Sequence, residues 1–300
     1  MQEEYIQRIN KVLAFIDDHL DANLSLQTLS KVACYSSFHT HRLFKAITNE
    51  TLNAYVARKR IERTAILLIH NSKLSIGEIA VRYGFLNDST YSRSFKKIYG
   101  QSPTEFRKSN KNNFSKIGKV NSKNGKDSFI TEEYLCNIDH LKKWIKMNGN
   151  IEIKQLPNLN LAYVTQIGEK GIESAFEKIV KWAMPREILS KRNTNVCRVF
   201  HDSFKITDAE KVRMSIGIAS DQEIKVDGEI GLTNIAAGRN IVGHYEIAPE
   251  EFEKAWNALF IWMNENGYTK AERNPFEIYH NNYNEHPEKK CIVDLIIPIE

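Results

Sequence analysis

Between Asn87 and Gly100 the chain reads NDSTYSRSFKKIYG, in which hydroxyl, guanidinium and ammonium groups are interleaved with aromatic residues. Wound as a helix at about 100° per residue, Tyr91, Phe95 and Ile98 fall on one stripe and Ser89, Arg93 and Lys96 on the opposite one. The first stripe asks for a core. The second offers donors suited to phosphate oxygens and base edges, and equally to a solvated surface. Another stretch narrows the choice. With one extra residue allowed in the second turn, residues 25–51 align with residues 75–102, so that Ser25 meets Ser75, Leu29 meets Ile79, Arg42 meets Arg93, Phe44 meets Phe95 and Lys45 meets Lys96. Phe38, Arg42 and Lys45 thereby become the outward positions of the first copy, matched by Arg93 and Lys96 in the second.

The elements that must hold these side chains follow from the same alignment. Each copy reads as a short helix, a turn and a second helix, which is a helix-turn-helix outline. Ser75 and Glu78 have capping-box spacing at the start of one first helix. Asn49 and Gly100 suit helix C-caps, because both residue types tolerate the left-handed conformation required there. Phe38 has two readings: it tucks under the preceding turn, or it meets a thymine methyl while Arg42 reads guanine or grips phosphate. Between the copies, residues 51–71 carry Arg58, Lys59, Arg60 and Arg63 and then an apolar run, as in a rigid helical spacer. Ile6, Ile9, Leu13, Ile16 and Leu20 recur at three and four, giving an amphipathic helix that caps the first unit.

Charge is divided unevenly along the 300 residues: residues 1–120 hold 19 Lys and Arg against 10 Asp and Glu, and residues 121–300 hold 23 against 27. A basic half joined to an acidic half suggests a polyanion-binding part and a part with another task. Residues 109–128, rich in Asn, Ser, Gly and Lys, read as a basic flexible linker. The chain shows no leader pattern and no apolar run near 18 residues, so a cytoplasmic protein without a membrane partner is expected. Cys34, Cys136, Cys197 and Cys291 are scattered without a C-x-x-C pair, which fits reduced thiols, and no metal or cofactor is expected.

The residues Ile76, Glu78, Ile79, Ala80, Gly84, Phe85, Tyr91, Arg93, Phe95, Lys96, Gly100, Ser102, Pro103, Phe106 and Arg107 carry a resemblance to the AraC/XylS family of bacterial transcription regulators, extending over about residues 5–110. It implies two helix-turn-helix units whose second helices enter successive major-groove segments. Phe38, His41 and Arg42 of the first and Asp88, Ser89, Ser92 and Arg93 of the second would face bases, with Lys45 and Lys96 on phosphates. Asp88 departs from the pattern, since a carboxylate repels phosphate unless it accepts from cytosine.

In the second half, residues 160–165 align with 240–245 and residues 172–183 with 252–263, an offset of 80 that places Ala175 over Ala255, Phe176 over Trp256 and Trp182 over Trp262. Each copy is a strand followed by a helix, and RVFHDSF, VRMSIGIAS, FEIYHNNY and CIVDLIIPIE add strand patterns to an α+β outline. Two similar halves suggest a cleft between them. The segments His201-Asp202, 210–218, 276–279 and 294–299 resemble the GyrI-like effector-binding domain, which follows an AraC-type region in Rob-like regulators. The resemblance implies a cleft for small molecules, often cationic and aromatic or amphipathic, with a buried glutamate opposite aromatic walls. Glu277 matches that glutamate, and alternation places it on the face of Tyr279. Tyr163, Trp182, Tyr245 and Trp262 are the expected walls.

The whole reading is two domains: an all-α double helix-turn-helix over residues 1–108, a basic linker and connecting segment over 109–150, and a GyrI-like α+β domain of two strand-helix repeats with a ligand cleft over 151–300. It describes a transcription regulator that binds promoter DNA under control of a small effector and engages RNA polymerase, without catalytic residues. The rival is a GyrI-like hydrolase or sequestering protein that carries a DNA-binding domain. His201 and Asp202 have no accompanying nucleophile on a strained glycine turn, which weakens the rival.

Overall fold

The computed structural model describes residues 2–70, 74–85, 87–110, 140–203 and 207–300. All of the 109–128 stretch beyond Asn110 lies outside the described residues, as does Cys136. The chain falls into two compact units.

The regular elements of the first unit's N-terminal stretch are all helices: α1 (Gln2–Asp18), α2 (Leu26–Ala33), α3 (Ser37–Thr48), α4 (Leu52–His70), α5 (Ile76–Arg82), α6 (Asp88–Tyr99) and α7 (Pro103–Asn110). The starts of α2, α3, α5 and α6 are set by side-chain caps, with Ser25, Ser36, Ser75 and Asn87 accepting from the backbone N–H three residues on. Each satisfies an amide that the helix itself leaves unpaired. The Ser75–Glu78 pair closes a full capping box. Asn49 and Gly100 end α3 and α6 in the left-handed region, at φ 57° and 72°.

Two small cores hold these helices. Ile9, Leu13 and Ile16 of α1 are fully buried with Leu29, Ala33, Phe44 and Tyr55. Ile61, Ala65 and Leu68 of α4 close over Ile79, Tyr91, Phe95 and Phe106. The long helix therefore contributes to both cores, and part of its charge is internal. Arg58 is buried between Glu50 and Glu62, Lys59 lies 3.4 Å from Asp17, and Arg60 donates to the carbonyls of Leu20 and Ala22. Ile98, expected in the core stripe of α6, is 45% exposed. The stripe instead runs Tyr91, Phe95, Tyr99, because Phe106 of α7 packs 5.1 Å from both Phe95 and Tyr99 and draws the core to that side.

The second unit begins with α8 through residues 140–148 and continues β1 (Gly149–Leu156), β2 (Leu159–Ile167), α9 (Ile172–Ala183), β3 (Thr194–Phe200), β4 (Arg213–Ser220), β5 (Gly231–Ile235), β6 (Gly238–Ile247), α10 (Phe252–Glu265), β7 (Phe276–Tyr279) and β8 (Cys291–Pro298). One eight-stranded sheet runs in the order β1-β6-β8-β7-β3-β4-β2-β5. It contains the repeat: β2-α9-β3-β4 and β6-α10-β7-β8 meet where β3 pairs antiparallel with β7. The edge strands are exchanged, since β1 precedes β2 but pairs with β6, and β5 precedes β6 but flanks β2.

The faces of the sheet differ from the expectation by one residue. Leu161 and Tyr163 of β2 pack with Val242 of β6, Cys197 and Phe276, whereas Ile241 and Tyr245 of β6 pack under α10 with Leu259 and Val293. Odd-numbered residues of β2 and β6 thus point to opposite faces, although an offset of 80 puts odd over odd. The helical part of the alignment holds, while the strand part is out of register by one, and a one-residue slip turns every side chain over.

Candidate DNA-binding face and ligand site

On α3, Phe38 is 72% exposed and the Arg42 guanidinium lies 5.6 Å from the centre of its ring. This is the outward reading of Phe38, not the tucked one. Lys45 is exposed one turn further on, and His41 beside it is half-buried. On α6, Asp88, Ser89, Arg93 and Lys96 are exposed and Ser92 is half-buried, with Arg93 Nε 3.3 Å from the Ser89 carbonyl. Asp88 has a local explanation. It opens α6, where a carboxylate is favoured by the unpaired amides and the helix dipole, and it lies against Gly77 of α5. Both second helices are therefore seated on buried aromatics, Phe44 in one and Tyr91 and Phe95 in the other, and present an arginine and a lysine to solvent. Such an arrangement can grip phosphates and read base edges.

In the second unit Glu277 is fully buried. Its carboxylate accepts from Arg198 Nε at 2.7 Å, from the Trp256 indole N–H at 2.8 Å and from the Tyr279 hydroxyl at 2.5 Å. Register explains the first contact, since Arg198 of β3 stands directly opposite Glu277 of β7. Alternation explains the last, and α10 lays Trp256 across the pair. Aromatic rings enclose the group: Phe200 and Phe252 lie 5.0 and 5.8 Å from the Arg198 guanidinium, Phe176 of α9 meets Tyr279 edge-on at 5.3 Å, and Phe200 meets Trp256 at 5.7 Å. Burial by itself would lower the Arg198 pKa. The facing Glu277 charge and the hydrogen bond outweigh it and hold the guanidinium above its ordinary value. Burial, with Glu277 adding to it against Arg198, also holds the Tyr279 hydroxyl well above the ordinary tyrosine range. Cys197 is pushed up to about 12 by burial, so it stands as a thiol rather than a nucleophile.

These contacts correct the expected site. Glu277 does not wait for a ligand cation, because Arg198, 79 residues away in sequence, already neutralises it. Tyr163 lies on the opposite face of the sheet, with Cys197 and Ile278. Tyr245 is on the helix side but belongs to the core, buried and stacked at 6.0 Å on Trp144. Trp182 carries the Arg186 guanidinium 4.9 Å above its ring, and Trp262 stacks at 6.0 Å on Tyr268. Trp256, Phe176, Phe200, Phe252 and Arg198 form the cluster instead. The repeat alignment signalled two of them, Phe176 over Trp256. Arg198 was legible only as a lone charge in an apolar strand, which a core tolerates when the charge is paired.

Residues 149–300 match the GyrI-like small molecule binding domain and residues 29–109 a helix-turn-helix domain. The chain belongs to the GyrI-like family and carries an AraC-type helix-turn-helix domain ahead of that domain. The right origin-binding protein of Escherichia coli (strain K12) is 35% identical over 101 residues, which are 34% of this chain and 35% of that protein. The chain thus spans about a third of the length of that relative. Regulatory protein SoxS of the same strain is 29% identical over 99 residues, 33% of this chain and 92% of SoxS. The crystal structure of the EcmrR C-terminal domain is similar at 17% identity and a TM-score of 0.42, covering 51% of this chain and 98% of that one.

Proposed function

We propose that the protein is a ligand-responsive transcription regulator that binds double-stranded promoter DNA through α3 and α6 and a small effector beside Glu277. The observation that carries the reading is the matched pair of capped, core-seated helices with Arg42 and Lys45 on one and Arg93 and Lys96 on the other, all exposed. Because both helices belong to one chain, a monomer occupies two major-groove segments about one helical turn, ~34 Å, apart on an asymmetric site. Sites selected from random duplexes and analysed by sedimentation should show one chain per site. An obligatory pair of chains on a palindrome would overturn this part.

The effector is a small aromatic or amphipathic molecule that stacks on the half-buried rings of Phe176, Phe252, Trp256 and Tyr279. A cation reaches Glu277 only by displacing Arg198, so positive charge is a secondary requirement. The domain binds without turnover, and the regulator works in the cytoplasm with RNA polymerase as its partner. Among the described residues no helix is long and apolar enough to cross a membrane. Thermal-shift screening of the full chain against paired cationic and neutral aromatic compounds tests the binding reading. Both members of a pair should raise the melting temperature, and the compound should be recovered intact.

A further inference from the structure

On the sheet face opposite Glu277, the second repeat brings two imidazoles and a carboxylate together. His244 of β6 and Asp294 of β8 are direct cross-strand partners, and Asp294 also faces Ile278 of β7. His280 follows β7 and is tied to β8 through its backbone N–H on the Ile292 carbonyl. The Asp294 carboxylate lies 2.6 Å from His244 Nδ1 through one oxygen and 3.0 Å from His280 Nε2 through the other. The two rings are 5.6 Å apart, and one ligand atom from each of the three residues lies within 4.8 Å of the others.

We propose that His244, His280 and Asp294 form a binding site for a divalent transition-metal ion of the zinc class. Two imidazole nitrogens and one carboxylate oxygen make a borderline donor set, which suits zinc, whereas calcium and magnesium take oxygen ligands throughout. Zinc bonds to nitrogen and oxygen of ~2.0–2.2 Å put the corners of a tetrahedron ~3.3 Å apart. The two ring–carboxylate contacts, made to different Asp294 oxygens, therefore lengthen by ~0.3–0.7 Å on binding, and no pair of ligand atoms starts more than 4.8 Å apart. Each ring nitrogen that now faces Asp294 binds the ion as an unprotonated nitrogen, with the neutral ring's proton carried on its other nitrogen. His244 and His280 are exposed, so water completes the fourth position. All three side chains are held by the strand ladder or bonded directly to it, so little further ordering is needed. The ion would join β6, the end of β7 and β8 on the face of the sheet away from the Glu277 and Tyr279 side chains. None of this is visible as a spacing motif, because the cluster depends on β6, β8 and the end of β7 being neighbours in the sheet.

Titration of zinc into untagged, chelator-stripped full-length protein against a chromogenic indicator is the direct test. Wild type should take up one ion per chain at this site. His244→Gln alters an exposed ring, circular dichroism checks that the variant is folded, and it should weaken binding at least about tenfold, as should Asp294→Asn. Zinc should raise the melting temperature of wild type and leave the His244→Gln/His280→Gln double variant unmoved. His286→Gln, a control 3.7 Å from Glu246 and outside the cluster, should bind as wild type does. Absence of stoichiometric zinc on wild type, or zinc retained unchanged by the double variant, overturns the site.

Discussion

Arg42 and Arg198 are both arginines set beside phenylalanine rings, and they do opposite things. Arg42 lies 5.6 Å from the Phe38 ring on an exposed helix face. Arg198 lies 5.0 Å from the Phe200 ring, is only 14% exposed in its side chain, and gives its charge to a fully buried Glu277. The first keeps its charge on the surface, where the proposed function has it meet DNA. The second is half of an internal ion pair, so the proposed effector would meet the surrounding rings rather than its charge. A cation–π contact therefore says little about function until the other end of the guanidinium is accounted for.

The comparison breaks most visibly at Glu277. Glu277→Gln leaves Arg198 buried without its counter-charge and should cost the second unit about 3–5 kcal/mol in denaturant unfolding. Arg42→Ala should move stability by less than about 0.5 kcal/mol. Equal effects of the two substitutions would erase the distinction. A smaller effect sharpens the same contrast through pH. Tyr279 has its folded pKa raised, so its contribution is fully present below the unfolded value of about 10 and is lost as pH rises above it. Stability of wild type should fall through that alkaline range, and Tyr279→Phe should fall less steeply; identical slopes would remove Tyr279 from the buried network. Smallest is the effect of Lys45→Ala or Lys96→Ala, each of which should lower the salt slope of DNA binding by about one unit and weaken all sequences alike. An unchanged slope would take that lysine off the phosphates.

The first unit was largely legible in the sequence because its signals are local. Caps lie three residues from the amides they satisfy, and the matched arginines and lysines recur at helical spacing. Ile98 escaped because the position of α7, not the period of α6, decides which side of α6 is covered. In the second unit the helices and most strands were legible from periodicity, but the site depends on which strands are neighbours. Arg198 meets Glu277, and Tyr163 faces away from it, only through a register that no segment carries by itself. The one-residue slip between β2 and β6 shows the consequence, since Tyr163 and Tyr245, both expected as walls of one cleft, lie on opposite faces of the sheet. His244, His280 and Asp294 were hidden for the same reason.

In the proposed function, two helices of one chain read bases rather than merely attract polyanions. Binding of wild type, Arg42→Ala and Arg93→Ala to a selected site and to a shuffled duplex of the same length, at one fixed salt concentration, tests it most directly. Each substitution should cost about 1–3 kcal/mol on the selected site beyond its cost on the shuffled duplex, and should relax the preference at the base it contacts. Equal losses on the two duplexes for both variants would mean that α3 and α6 bind phosphate alone.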